Sequence, residues 1–269
     1  MNRKYARPEV KQVTRQWVRE NCKNVTDRDK ELLKVIEKHR ILRRDHIEIL
    51  FPEFPSSDYL NKRLAILYKM HMIDRTYPQV GLGEGSSKQH VCLDRAGMIL
   101  LDNETYNKPI RPDKSLPLGW EHIVTLNDYK CRITQFFKKI GGKVLYCELE
   151  QTCRFSGKKL IADIILIVQH NKKGHSFIIE VDLGTENLPF LKKKIDSYRD
   201  YYLTKTWVGE PWARVFKTPV FPRVLLMTEN GRVGRINSLR EYTKDSGGIR
   251  FLVDQHNNLE KIFHSITKG

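Results

Sequence analysis

The first third of the chain is a series of short amphipathic runs separated by tight joints. In "TDRDKELLKVIEKHR", Thr26 or Asp27 stands where an N-cap belongs, acids fill the first turn, and Leu32, Leu33, Val35 and Ile36 recur with the helical period. "RRDHIEILFP" predicts a shorter second helix through Ile47, Ile49 and Leu50, stopped at Pro52. "PSSDYLNKRLAILYKMHMI" predicts a serine-capped third, with Leu60, Leu64, Leu67 and His71 on one stripe and Asp58, Lys62, Ala65 and Lys69 on the other side. "IDRTYPQVGLGEGSSKQHVCLD" then reads as two strands, Ile73 to Tyr77 and Gln89 to Asp94, around a soft Gly/Ser tip. "RAGMILL" adds a short closing helix.

Beyond a polar stretch carrying Pro109, Pro112 and Pro117 the pattern changes. "EHIVTLNDYKCRITQFFKKIGG" predicts a helix with Ile133, Phe136, Phe137 and Ile140 inward and a glycine stop. "KVLYCELEQ", "KLIADIILIVQ" and "HSFIIEVDLG" read as strands, the last two apolar on both faces as central strands covered by helices are. Helical "PFLKKKIDSYRDYYLTK" and strand-like "RVLLMT" continue the alternation, so an α/β or α+β domain follows.

The expected organisation is a basic arm over 1–25, a helix-and-wing domain over 26–105, a linker over 106–119 and an α/β domain over 120–269. Three helices, two strands and a flexible tip is the order of a winged helix-turn-helix domain, whose third helix enters the major groove while the wing touches the backbone beside it. Ser57, Asn61, Lys62 and Lys69 on that helix and Lys88 in the wing are the candidate contacts with DNA.

Composition strengthens this reading. The 269 residues hold 48 Lys and Arg against 32 Asp and Glu, a formal charge of +16 that attracts polyanions, so double-stranded DNA is the first partner to consider. No apolar run approaches membrane-spanning length and no apolar signal core follows Met1, so neither a membrane nor a secreted role is expected. Five cysteines in no paired C-x-x-C pattern argue against a zinc ribbon or a disulfide framework and fit a reducing cytoplasm.

The candidate chemistry lies in carboxylates set in apolar strands. Asp163 interrupts "LIADIILIV", and Glu180 and Asp182 interrupt "FIIEVDLG". If the turn "NKKG" has an even number of loop residues, a hairpin pairs Asp163 with Asp182 and keeps Glu180 diagonal on the same face. Like charges that close require a proton or a cation, and oxygen-only ligands suggest Mg²⁺ or Mn²⁺. Glu148 or Glu150 can add a carboxylate from the preceding strand. On the next helix Leu191, Ile195, Tyr198 and Tyr202 form the apolar stripe, with Lys194 beside it, where its stem can carry an ammonium toward the sheet. A lysine there can orient an attacking water or offset charge on a phosphoryl group.

These features resemble the replication-relaxation family of plasmids and other mobile elements. The resemblance runs from about Thr26 to about Tyr202 and rests on "TDRDKELLKVI", "FP" before the third helix, "YKMHMIDR", "HIVTLNDY" and above all "EVDLGTE" followed by "KIDSY". It implies a winged-helix domain joined to a restriction-endonuclease-like, or PD-(D/E)xK-like, mixed-sheet domain, and a role in plasmid replication or mobilisation. By that motif Asp163 and Glu180 hold the metal. Where the nuclease superfamily has lysine two residues after the glutamate this chain has Asp182, and Lys194 is the candidate replacement. The expected activity is metal-dependent nicking or cleavage of DNA, with Asp163, Glu180, Asp182 and Lys194 as catalytic residues and Asp163, Glu180, Asp182 and Glu150 as ligands. The alternative is a non-catalytic DNA-binding factor with a degenerate nuclease domain. A tyrosine nickase using Tyr198 or Tyr202 is disfavoured because the H-x-H metal pair such enzymes need is missing from the sequence and both tyrosines fall on the core stripe.

Overall fold

A computed structural model describes residues 7–77, 88–101, 119–245 and 247–268. The chain divides into two compact units, residues 1–131 and 132–269. The expected linker up to residue 118 and residues 78–87 of the wing lie outside the described residues.

In the first unit α1 (Arg15–Asn21), α2 (Asp27–His39), β1 (Leu42–Arg43), α3 (Arg44–Leu50) and α4 (Ser57–Lys69) precede β2 (Ile73–Thr76), β3 (His90–Leu93) and α5 (Arg95–Leu100). The strands form an antiparallel sheet in the order β1-β3-β2. Thr26 is the N-cap of α2, its hydroxyl accepting from Asp29 N while the Asp29 carboxylate accepts from Thr26 N, a reciprocal capping box. Leu32, Leu33 and Ile36 of α2, Ile47 of α3 and Leu60, Leu64 and Leu67 of α4 interlock with Ile73, Val91 and Leu93 in one core. His71 does not continue the α4 stripe: the helix stops at Lys69 and His71 takes a left-handed φ of 56° in the turn to β2. The expected basic arm includes ordered structure, since α1 lies within it and buries Val18.

Helix α6 (Trp120–Lys139) is continuous through the point where the units divide, so residues up to Cys131 count with the first and those from Arg132 with the second. The second unit continues with β4 (Lys143–Phe155), β5 (Lys158–His170), β6 (Lys173–Asp182), α7 (Leu188–Thr204), β7 (Arg223–Thr228), α8 (Val233–Tyr242), β8 (Phe251–Gln255) and α9 (Leu259–Lys268). Its five strands run in the order β4-β5-β6-β7-β8, antiparallel up to β6 and parallel from β6 to β8. Ile165, Ile167 and Ile178 pack in one cluster with Leu191, Ile195 and Tyr198 of α7 and Ile236 and Leu239 of α8. On α7 the fourth buried residue is Tyr201, with Tyr202 only partly covered. Phe177 meets Phe263 of α9, which also touches Phe137 of α6.

The β5–β6 turn fixes the register of the carboxylates. Asn171 and Lys172 both have positive φ, 47° and 63°, and connect the bonded pair His170↔Lys173 as a two-residue turn of the I′ kind that matches the twist of the strands. The pairing runs to Ile164↔Ile179, which sets Asp163 opposite Glu180. The expected Asp163–Asp182 pairing is therefore corrected by two residues. The loop is even, as supposed, so the side chains keep their face; the turn closes one position earlier.

Candidate functional site

Two adjacent strands and the helix that follows them assemble a buried ionic centre. Asp163 and Glu180 lie in β5 and β6 at 8% and 4% exposure. Asn187 caps α7 by accepting from Phe190 N at 2.9 Å, and the burial of Leu191, Ile195 and Tyr198 then fixes the helix rotation. Lys194 and Tyr198, one turn apart, are thereby aimed at the strands. Lys194 Nζ lies 3.4 Å from Asp163 Oδ1 and pairs with Glu180, and the Tyr198 hydroxyl donates to Glu180. Asp163 Oδ2 accepts from the backbone N–H of Val181 at 2.8 Å, which ties the aspartate to the strand that carries the glutamate.

One ammonium serves two carboxylates here. Burial, reinforced by the charge of Asp163, pushes the Glu180 carboxyl up to about 8 even though Lys194 and Tyr198 act the other way. Lys194 is held in its charged form: burial acts against it, but Glu180 and Asp163 together raise its pKa above the ordinary lysine value. Burial and the neighbouring Glu180 raise the Tyr198 hydroxyl well above its usual range, so this tyrosine is a hydrogen-bond donor and not a phenolate.

Asp182, at 7% exposure, has a different set of partners. Arg235 of α8 grips it with Nε to Oδ2 at 2.5 Å and Nη2 to Oδ1 at 2.8 Å, and Gly184 N donates to Oδ1 at 2.9 Å. Glu150 sits at an irregularity of β4. Pairing steps from Leu149↔Ile164 to Gln151↔Ala162 with no bonded pair between, and Glu150 has a left-handed φ of 51°. Leu160 and Ala162 share a core with Ile165 and Ile167, so the inward parity of β5 changes around Asp163, where the ladder is interrupted. Among the described residues no group of three or more His, Cys, Asp or Glu is arranged to hold a metal ion. Sequence reasoning did not foresee Arg235 on Asp182, because nothing in "GRVGRINSL" signals an acidic partner fifty residues upstream. Tyr198 was legible as core but not as the donor to Glu180.

The first unit offers a different feature. Along α4, β2 and the base of β3 runs an open cleft of about 1170 Å³, lined by Asn61, Lys62, Ala65, Ile66 and Lys69 of α4, Arg75 of β2, Tyr77, Lys88 and Gln89, with Arg44 and Asp45 at its edge. Four of the five candidate DNA contacts, Asn61, Lys62, Lys69 and Lys88, meet there; Ser57, in the first turn of α4, is not among the lining residues. Arg44 and Arg75 are additions that only the folded chain brings in. Lys88 is engaged with Asp45 at 3.0 Å, and Asp45 in turn accepts from Arg43 at 3.0 and 3.1 Å. Arg43 and His46 also bind Asp128, and Asn127 bonds His39 and the Ile41 carbonyl, so "HIVTLNDY" contributes packing contacts to this unit.

Among the described residues no helix is long and apolar enough to cross a membrane. No curated protein and no solved structure matches the chain. A sequence model of the replication-relaxation family matches residues 33–211, a span that holds α4, the cleft, Asp163, Glu180 and the whole of α7, and membership points to a role in plasmid replication or mobilisation and with it to contact with DNA. By this match over about two thirds of its length, the chain belongs to the replication-relaxation family.

Proposed function

We propose that the protein binds double-stranded DNA of a plasmid or mobile element through a winged helix-turn-helix in its first unit, and hydrolyses a phosphodiester bond at a restriction-endonuclease-like centre in its second. The observation that carries the catalytic part is the reach of Lys194 from α7 to both Asp163 and Glu180, which restores by a helix the lysine that the strand motif lacks at Asp182. The donor set suits a hard divalent ion: two carboxylates short of positive charge, oxygen only, with waters and phosphate oxygens left to complete the shell of Mg²⁺ or Mn²⁺. Asp163 and Glu180 would hold that ion. It would supply Lewis-acid polarisation of the phosphate and a more acidic water.

The remaining work falls to the chain. Tyr198 holds the Glu180 carboxylate in place, the Val181 amide holds Asp163, and Lys194 presents a fixed positive charge at the point where a phosphoryl oxygen gains charge. Asp182 supports the centre by anchoring α8 through Arg235. Glu150 is the nearest further carboxylate by strand position. DNA backbone would lie along α4 with Lys62, Lys69 and Arg75 on phosphates and Asn61 on a base edge.

The test is incubation of supercoiled plasmid with Mg²⁺, Mn²⁺ or chelator, using the wild-type, Asp163→Asn and Glu180→Gln proteins. Metal-dependent nicking lost in both variants supports the reading. A second reading, a DNA-binding factor with an inert nuclease fold, is favoured by the closed partner set of Asp182 and Arg235, and tight binding without cleavage in any metal would select it.

A further inference from the structure

At the opposite end of β6 from Glu180 the sheet gathers positive charge. Residues 164–179, 211–228 and 246–253 contain no Asp or Glu, and these stretches lead into or form β6, β7 and β8. The three strands are parallel, so their first residues emerge at one end, joined there by the end of β5 and, through Lys143↔Gln169, the start of β4. In register, His175 faces Val168 and His170 faces Lys173, which makes the two imidazoles diagonal neighbours on one face. Arg223 lies opposite Phe177, two residues along from His175, and Arg250 precedes the Val224↔Phe251 pair, next to Arg223.

One ring nitrogen of each imidazole is not satisfied within the fold. His170 Nδ1 and His175 Nε2 are buried ring nitrogens with no hydrogen-bond partner among the described residues, an arrangement that costs free energy unless something fills it. Burial and then the charge of Arg250 depress the Arg223 guanidinium, and burial and then Arg223, His170 and Lys173 depress His175, so positive charge is concentrated here and the His175 ring is kept neutral. His170, His175 and Arg223 are each partly exposed and Arg250 is exposed, so solvent reaches the edge of the cluster although the two orphan nitrogens are themselves covered.

We infer that His170, His175, Arg223 and Arg250, flanked by Lys143 and Lys173, form a second phosphate-binding site, separate from the carboxylate centre. Two guanidinium forks, beside imidazoles that become donors in the tautomer with the proton on the orphan nitrogen, suit a tetrahedral oxyanion carried by a phosphodiester backbone or a free phosphate-bearing ligand. Five residues along β6 separate His175 from Glu180, roughly 17 Å at the strand rise, so an anion here leaves the centre free. The inference is independent of cleavage.

Imidazole ¹H–¹⁵N NMR of the full chain in chelator tests it, with the two resonances assigned through His170→Gln and His175→Gln. Inorganic phosphate should shift both resonances saturably, and the Arg223→Gln/Arg250→Gln protein should lose the response. Arg250→Gln alone, at an exposed position, should weaken it about three-fold or more and serves where the double variant does not fold. A 30-base-pair duplex that produces the same shifts at lower concentration identifies the nucleic-acid backbone as the source; shifts with phosphate but none with duplex identify a free phosphate ligand. Silence of both resonances toward both probes, or a response unchanged in the arginine variants, overturns the site.

Discussion

At Glu180 the fold puts a carboxyl group where water cannot screen it and gives it half of one lysine. Its pKa rises from 4.5 to about 8, so the native state holds a proton that the unfolded chain has released, and stability must fall as pH rises through that window. Glu180→Gln removes this dependence. Chemical denaturation should therefore show the wild type losing stability relative to the variant between about pH 4.5 and pH 8, and a parallel pair of curves would contradict the assignment. Lys194→Met has the converse signature. Removing one partner from a buried ionic group costs about 3–5 kcal/mol when the remaining charge cannot be neutralised. Glu180 can take up a proton, so the loss should be largest near pH 8 and smaller at pH 5, as read by urea midpoints at the two values. The carboxylates themselves were legible in the sequence because three acids interrupt runs of Ile, Leu and Val. Which of them share a cation was not, since that depends on where a two-residue turn closes and on the rotation of α7.

Among the elements, α2 shows how a local signal and a distant partner combine. Burial of Asp29 disfavours its charge, but Arg63, with Nε at 2.6 Å from Oδ1, and the Thr26 hydroxyl and amide overcome that, and its pKa is lowered below 3.8. A carboxyl depressed in the fold contributes stability that is present above its unfolded pKa and lost as pH falls through the folded one. Asp29→Ala should cost about 2–3 kcal/mol at pH 7, cap and charged hydrogen bond together, and the difference from wild type should shrink below about pH 3.8. Gly97 in α5 is a case of close approach: a Cβ there would lie 2.2 Å from the Met72 carbonyl oxygen, so Gly97→Ala should lower the thermal midpoint through an overpacking cost of about 1–3 kcal/mol. The helical period made α2, α3, α4 and α7 legible, with caps as a further signal at α2 and α4. The hairpin register was legible only to its parity, because "NKKG" allows closure at Asn171–Lys172 or one position later, and only the I′ geometry at the first decides it. Two stripes differ at their C-terminal ends: His71 keeps the spacing of α4 but the helix has stopped before it, and on α7 Tyr202 packs against the core only partly buried while Tyr201 is the residue fully buried there.

On the scale of the whole molecule the excess of charge would, under the proposed function, decide how the protein meets DNA. A formal +16 spread over 269 residues gives a long-range attraction that carries no sequence information, and the counterions released on binding make affinity fall with salt. The cleft along α4 adds direction, because Lys62, Lys69 and Arg75 share it with the apolar Ile66, 42% exposed, and with Asn61, whose amide can pair with a base edge. The sequence pointed to Lys62 and Lys69 through helical spacing alone, while Arg44 and Arg75 became visible only when α3 and β2 brought them beside α4. If phosphates lie in this cleft, a Lys62→Ala/Lys69→Ala protein should bind a duplex about ten-fold or more weakly at moderate salt. Its plot of log affinity against log salt should be shallower by about 2, since each lost phosphate contact removes about 0.9 from the slope. Asn61→Ala should instead leave the slope unchanged and narrow the difference between preferred and random sequence by about 1–3 kcal/mol. A slope equal to wild type in the double lysine variant would take the DNA out of this cleft, even if binding elsewhere on the molecule stayed tight.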